Sequence, residues 1–252
     1  MRTKLLHDEG SGPVLVYVPG IDGSGELLLE TAERLRLQFR LVQVEYVDGV
    51  SYGESIVADL AASLRVVLDK LGIDRALLLA ESFGGPVALK FALEHAEVVR
   101  GLAIVNSFAY YPRRVDLAIT RVGARLLPSA VFRFVRPLIA ARKLFGRLCE
   151  PDALRRFKAR ETPNFDSNYR KRLRAIEAID LRPRLSEIKV PVSLFASERD
   201  RVVPSVPCLQ EMQAGLANAT LRTIPDGGHV VLPLQALPWC EWLSELDERA
   251  PI

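Results

Sequence analysis

Cysteine is scarce in this chain. The three present, Cys149, Cys208 and Cys240, are far apart and odd in number, which excludes a disulfide-stapled scaffold and a cysteine metal site and suits a reducing compartment. Histidine is equally rare: only His7, His95 and His229 can supply an imidazole. Aromatic residues make up 7%, and no stacking array or nucleic-acid motif accompanies them, so no nucleic-acid partner is expected. No apolar stretch approaches the roughly 18 unbroken residues of a membrane span; the longest are interrupted by Arg133, Arg136 and Arg142. From Met1 to Pro13 the only apolar pair is Leu5-Leu6, followed by Asp8-Glu9. That is no signal-peptide core, and a cytoplasmic location is expected. Repeats and low-complexity tracts are missing too.

What is present has the balance of a globular protein, 49% hydrophobic and 26% charged over 252 residues, enough for one domain with an elaboration. The net charge of +3 conceals an asymmetry. Residues 110 to 185 hold 19 Lys and Arg against 7 Asp and Glu, while the remainder holds 15 against 24. Two differently employed regions are implied.

Short continuous apolar runs, the mark of strands buried on both faces, occur at Val14 to Val18, Leu41 to Tyr46, Ala76 to Ala80, Gly101 to Val105, Val192 to Ala196 and Thr220 to Ile224. Between them lie helical patterns at Glu54 to Leu71, Gly84 to His95, Pro204 to Ala214 and Pro233 to Leu246. This alternation predicts an α/β fold: a mostly parallel, doubly wound sheet. The rhythm breaks at the basic segment and then resumes. Residues 1–109 and 186–252 therefore read as one core, and 110–185 as a helical insertion into it.

The sharpest local feature is Ala80-Glu81-Ser82-Phe83-Gly84-Gly85, between a buried strand and a helix that begins at once. It resembles a nucleophile elbow, in which a serine sits on a strained strand-to-helix turn flanked by small residues; read alone, the same residues would also serve as a helix cap. A serine hydroxyl needs a base, and imidazole is best poised to be one. His7 lies in a ragged N-terminal stretch and His95 several helical turns from Ser82, which leaves His229 after Pro225-Asp226-Gly227-Gly228. The imidazole in turn needs a carboxylate to hold its tautomer. Asp200 follows the penultimate strand; Glu198 is its nearest rival, and Asp226 reads as a turn-shaping residue. Donors for a developing oxyanion would be backbone N–H groups: that of Phe83, and that of Ile21 or secondarily Asp22 in Pro19-Gly20-Ile21-Asp22-Gly23-Ser24-Gly25. This loop lacks G-x-G-x-x-G spacing and a Walker lysine, which argues against a nucleotide. No cofactor and no metal are implied.

With serine, acid and histidine in that order, the chain resembles the α/β-hydrolase superfamily. The resemblance implies the α/β-hydrolase fold, with Ser82, Asp200 and His229 as a triad acting on carboxylic esters through an acyl-enzyme. The departures are Ala80 for the usual glycine, Pro19 where many members have histidine, and a start so near the first central strand that the usual first hairpin is expected to be reduced or missing. The Pro19 to Gly25 loop and the Ser82 elbow also look like the hydrolase-like acyltransferases of plants, which implies, as alternatives to hydrolysis of the ester, transfer to a long-chain alcohol or thioester cleavage. A non-catalytic ligand-binding protein on the same fold is a further alternative. Residues 110–185 stand where the superfamily inserts a lid, with Leu126, Leu127, Val131, Phe132, Phe134, Val135, Leu138 and Ile139 as its apolar surface. Its basic face would be a solvated exterior or would meet an anionic membrane or an anionic, long-chain acyl substrate.

Overall fold

The computed structural model describes residues 1–49, 55–112, 144–148, 150–159 and 167–250. Seven strands form one sheet: β1 (Arg2–Glu9), β2 (Val14–Val18), β3 (Arg40–Val47), β4 (Ala76–Glu81), β5 (Val99–Val105), β6 (Val192–Ser197) and β7 (Ala219–Ile224), in the spatial order β1-β3-β2-β4-β5-β6-β7. Every neighbouring pair is parallel except β1 with β3. The described helices are α1 (Glu30–Arg36), α2 (Ile56–Lys70), α3 (Gly84–Glu94), α4 (Pro151–Ala159), α5 (Ser167–Ala178), α6 (Ser205–Gly215) and α7 (Trp239–Glu248). None of them is long and apolar enough to cross a membrane.

The sheet is covered on both faces because its central strands are apolar on both. Every residue of β4 and β6 is buried, and the two sides pack as separate hydrophobic clusters. One joins Val16, Leu78 and Ile104 to α2, α3 and α6; the other joins Leu15, Leu77 and Ala103 to α1 and α7. At about 25 cal/mol per Å2 of apolar area, such double-sided burial supplies the main stabilisation of the sheet.

Two expectations are corrected. The N-terminal stretch is not ragged: it forms β1, an antiparallel edge strand carrying His7 that pairs with β3. The last helix begins at Trp239, not at Pro233. Residues 233–238 make turns instead, and Pro238 stands just before the first helical residue, where its missing N–H and fixed φ are tolerated.

Chain order decides where a site can form. β2 is followed in sequence by β3 on one side and by β4 on the other, so loops leaving the carboxyl ends of β2 and β4 diverge and open a crevice between them. The Pro19 to Gly25 loop leaves β2, and Ser82 leaves β4.

Candidate active site

Ser82 occupies the first residue after β4 with φ of 49°, left-handed backbone that costs a non-glycine residue about 1–3 kcal/mol. The surroundings hold it there. Its N–H donates to Val105 O (3.0 Å), and its carbonyl accepts from Gly85 N–H (3.1 Å) and from the Ser107 hydroxyl (2.6 Å). Gly84 permits the turn, since a Cβ there would lie 2.4 Å from Val18 O and 2.6 Å from Pro19 O. The helix α3 then starts at once, at Gly84.

His229 Nε2 lies 3.0 Å from Ser82 Oγ, and its Nδ1 lies 2.7 Å from Asp200 Oδ2. A carboxylate can only accept, so Nδ1 carries the proton and Nε2 is left to accept from the serine. Asp200 is itself fixed: Oδ1 accepts from Val202 N–H (2.8 Å) and Val203 N–H (3.0 Å), and Oδ2 also accepts from the Ser205 hydroxyl (2.5 Å). Three side chains from residues 82, 200 and 229 thus meet at one rim of the sheet. The rivals stand elsewhere. Glu198 is exposed, His7 is on β1, and His95 ends α3 against Phe91. Asp226 pairs with Arg199 and Arg147.

Burial opposes a charge on His229, but the charge and hydrogen bond of Asp200, with a further contribution from Glu81, outweigh it and raise the pKa above the ordinary histidine value. Below that pKa the imidazole is protonated and cannot act as a base. The acid limb of kcat/KM against pH is therefore expected to have its midpoint above about pH 6.5. A profile measured from pH 5 to 9 checks this; a midpoint below 6 contradicts it.

The loop after β2 adjoins the nucleophile: a Cβ on Gly20 would lie 3.4 Å from that of Ser82. Its carbonyls are held from behind. Pro19 O accepts from the Tyr46 hydroxyl (2.9 Å), Gly20 O from Gly23 N–H (3.1 Å), Gly23 O from Tyr46 N–H (2.8 Å) and Gly25 O from Gln43 Nε2 (2.8 Å). Burial raises the Tyr46 pKa well above that of an ordinary phenol, so the hydroxyl stays protonated and donates. A planar trans peptide points its C=O and N–H in opposite directions. Holding Gly20 O therefore also fixes the direction of the Ile21 N–H.

A serine on a strained strand-to-helix turn, with an imidazole and a carboxylate in line behind it, sits here at the switch point of a doubly wound sheet, and the profile of the α/β hydrolase fold family matches residues 13–235. The chain belongs to that family. Among curated relatives, RutD of Serratia proteamaculans, which carries the name carbamate hydrolase, is 27% identical over 238 residues, covering 89% of this chain and 86% of its own. RutD of Pseudomonas syringae, under the same name, is 29% identical over 244 residues and 90% of each chain. Among solved structures, the enol-lactonase of Burkholderia xenovorans superposes with a TM-score of 0.82 at 19% identity, over 97% of this chain and 95% of its own.

On this α/β-hydrolase frame the sequence left three supporting residues unread. Asn106, buried at φ 47° just after β5, places Nδ2 within 3.0 Å of Ser197 Oγ, Gly228 O and His229 O, and its Oδ1 accepts from Ser197 N–H at 2.8 Å. It ties the histidine loop to the ends of β5 and β6. A small polar pair, Asn106-Ser107, closing an apolar run at a carboxyl strand end was the available signal. Asn106→Ala would orphan several buried groups at about 1–3 kcal/mol each. We expect a loss near 3 kcal/mol by urea denaturation and at least tenfold lower kcat; a loss under 1 kcal/mol contradicts the anchoring role. Ser205 and Arg172 gave no local signal.

Gly228 is required by a close approach of backbone. A Cβ there would lie 2.3 Å from Gly146 N and 2.5 Å from Leu144 O, because residues 144–148 run against the histidine loop: Val230 N–H donates to Leu144 O (2.7 Å) and Arg147 N–H to Asp226 O (2.9 Å). The glycine admits a neighbouring backbone. The apolar residues from Leu126 to Ile139, and Cys149, lie outside the described residues. Among the described residues no cluster of three or more metal-ligating side chains occurs.

Proposed function

We propose that this protein is a serine hydrolase that cleaves carboxylic esters through a covalent acyl-enzyme on Ser82. The observation that carries this reading is the unbroken line Ser82 Oγ, His229 Nε2, His229 Nδ1, Asp200 Oδ2, with separations of 3.0 and 2.7 Å at its two hydrogen bonds. His229 takes the hydroxyl proton as Oγ bonds to the acyl carbon, and the carbonyl electron pair moves onto oxygen. The N–H groups of Phe83 and Ile21 stabilise that oxyanion. As the tetrahedral adduct collapses, the leaving alkoxide departs with the proton from His229. Water, deprotonated by the same imidazole, then releases the acid and restores Ser82. Asp200 accepts the Nδ1 hydrogen bond and orients the ring.

The names borne by the relatives, carbamate hydrolase and enol-lactonase, widen the substrate class. Esters, lactones and carbamates all present a trigonal carbonyl with a heteroatom leaving group, and one oxyanion site serves each. Contact with an anionic membrane would be made by the basic insertion, residues 110–185, of which 113–143, 149 and 160–166 lie outside the described residues. Of the described cations in the insertion, Arg147, Arg156 and Lys171 pair with Asp226, Glu30 and Asp48 of the core, surface pairs that each contribute little to stability.

The test is a panel of nitrophenyl esters of graded chain length with a lactone and a carbamate, each assayed with and without added long-chain alcohol. Release of free acid that the alcohol leaves unchanged supports hydrolysis. Transfer to the alcohol in preference to water, or no turnover of any member, contradicts it.

A further inference from the structure

Resting on the assignment of Ser82 as nucleophile, we infer that Arg172 is a positioning residue for the oxyanion loop, supplied from the segment inserted between β5 and β6. Arg172 lies on α5 and is 2% exposed. Arginine is almost never so buried unless its donors are matched, and here two of them reach main-chain carbonyls of the loop. Its Nε donates to Ile21 O at 2.7 Å and its Nη2 to Asp22 O at 3.2 Å, while Nη1 lies 3.5 Å from Met1 Sδ. The guanidinium carbon stands 6.0 Å from the centre of the Tyr46 ring, whose hydroxyl holds the start of the same loop.

This arrangement fixes direction as well as place. The guanidinium is a rigid planar fork, so two consecutive carbonyls bound to it cannot turn independently. Each planar peptide then sends its N–H the opposite way. With Gly20 O held by Gly23 N–H, the peptide units from Gly20 through Gly23 are all oriented by hydrogen bonds to their carbonyls. Both N–H groups that can serve the oxyanion from this loop, Ile21 and Asp22, belong to those units. An unheld glycine-rich loop would rotate its peptides freely and present carbonyl oxygen to a developing negative charge as readily as N–H. Arg172 directs the Asp22 N–H itself, and the Ile21 N–H through the Gly23 N–H that holds Gly20 O, so the correct presentation depends on α5 being docked. A lysine, with one compact ammonium, cannot span both carbonyls with the same geometry.

The experiment compares wild type, Arg172→Lys and Arg172→Gln on a nitrophenyl ester, with active sites titrated by a fluorophosphonate and melting temperatures recorded. An oxyanion donor removed outright lowers kcat by about 100- to 1000-fold, and misdirecting one through its support lowers it less. We expect kcat per titrated site to fall by roughly 10- to 100-fold with KM within about threefold. Affinity for an alkyl boronic acid, whose adduct on Ser82 puts an oxygen at the oxyanion position, should fall in parallel with kcat/KM. The acid limb of the pH profile should stay in place, because His229 and Asp200 are untouched. In Arg172→Ala, added methylguanidinium should restore part of kcat. A purely structural arginine predicts otherwise: lower melting temperature and fewer titratable sites, with kcat per site and boronate affinity within twofold of wild type. That result in both the Lys and Gln variants overturns the inference alone. A wild type that neither turns over esters nor takes the fluorophosphonate on Ser82 overturns the serine hydrolase reading, and this inference with it.

Discussion

Ser82→Ala is expected to lower kcat/KM for a nitrophenyl ester by about 10^4-fold or more, with the fold intact. Among the described residues this hydroxyl stands 3.0 Å from His229 Nε2, placed to lose its proton, and in the proposed mechanism it forms the acyl bond. Without it the proposed covalent route is closed, and only the proposed oxyanion stabilisation of attack by water would remain. Stability should barely change. The left-handed backbone at residue 82 is enforced by the hydrogen bonds of its N–H and carbonyl, and those do not involve the side chain. A melting temperature within a few degrees of wild type, beside near-complete loss of turnover, is the expected pair of results. Turnover within tenfold of wild type would place the nucleophile elsewhere.

Asp200→Asn should cost about 10^4-fold in kcat with little change in KM. The substitution is nearly isosteric. The amide oxygen can keep the bonds from Val202 N–H and Val203 N–H, and the Ser205 hydroxyl can rotate to accept instead of donate. The damage falls on His229. An amide N–H facing Nδ1 forces that nitrogen to accept, so the ring proton moves to Nε2 and points at Ser82 Oγ. Nε2 can then no longer take the serine proton. The carboxylate charge that raises the imidazole pKa is lost as well. Fluorophosphonate modification of the variant should slow by a comparable factor while circular dichroism stays unchanged. A loss below tenfold would mean that another acceptor holds the ring, and Glu198 would then be the first to replace.

Much of this architecture could be read in the chain because the central strands are buried on both faces and so appear as uninterrupted apolar runs. Val14–Val18 is found at the predicted bounds, and β4 and β6 run one residue beyond theirs. The edge strand β1 escaped notice. Arg2–Glu9 is largely polar and only partly buried, so neither a continuous nor an alternating apolar pattern marks it. The start of α7 is not marked in the sequence, because Leu232 and Leu234 are buried like helical core residues while lying outside the helix.

The three residues proposed as the triad are legible because each stands within three residues of a strand end or a glycine turn, where a doubly wound sheet gathers its loops. Their supports are not. Asn106 reaches partners 91 and 123 positions away, and Arg172 reaches the loop after β2 across 151 positions. In sequence Arg172 is one arginine among many in a basic segment; only packing singles it out, by burying it against two carbonyls.

The most direct test of the central claim is peptide mapping of the full-length protein after reaction with a fluorophosphonate. A single adduct is expected, on the peptide containing Ser82, formed much more slowly in His229→Gln and not at all in Ser82→Ala. An esterolytic protein that carries its adduct on another residue, or reacts equally fast without the imidazole, would contradict it.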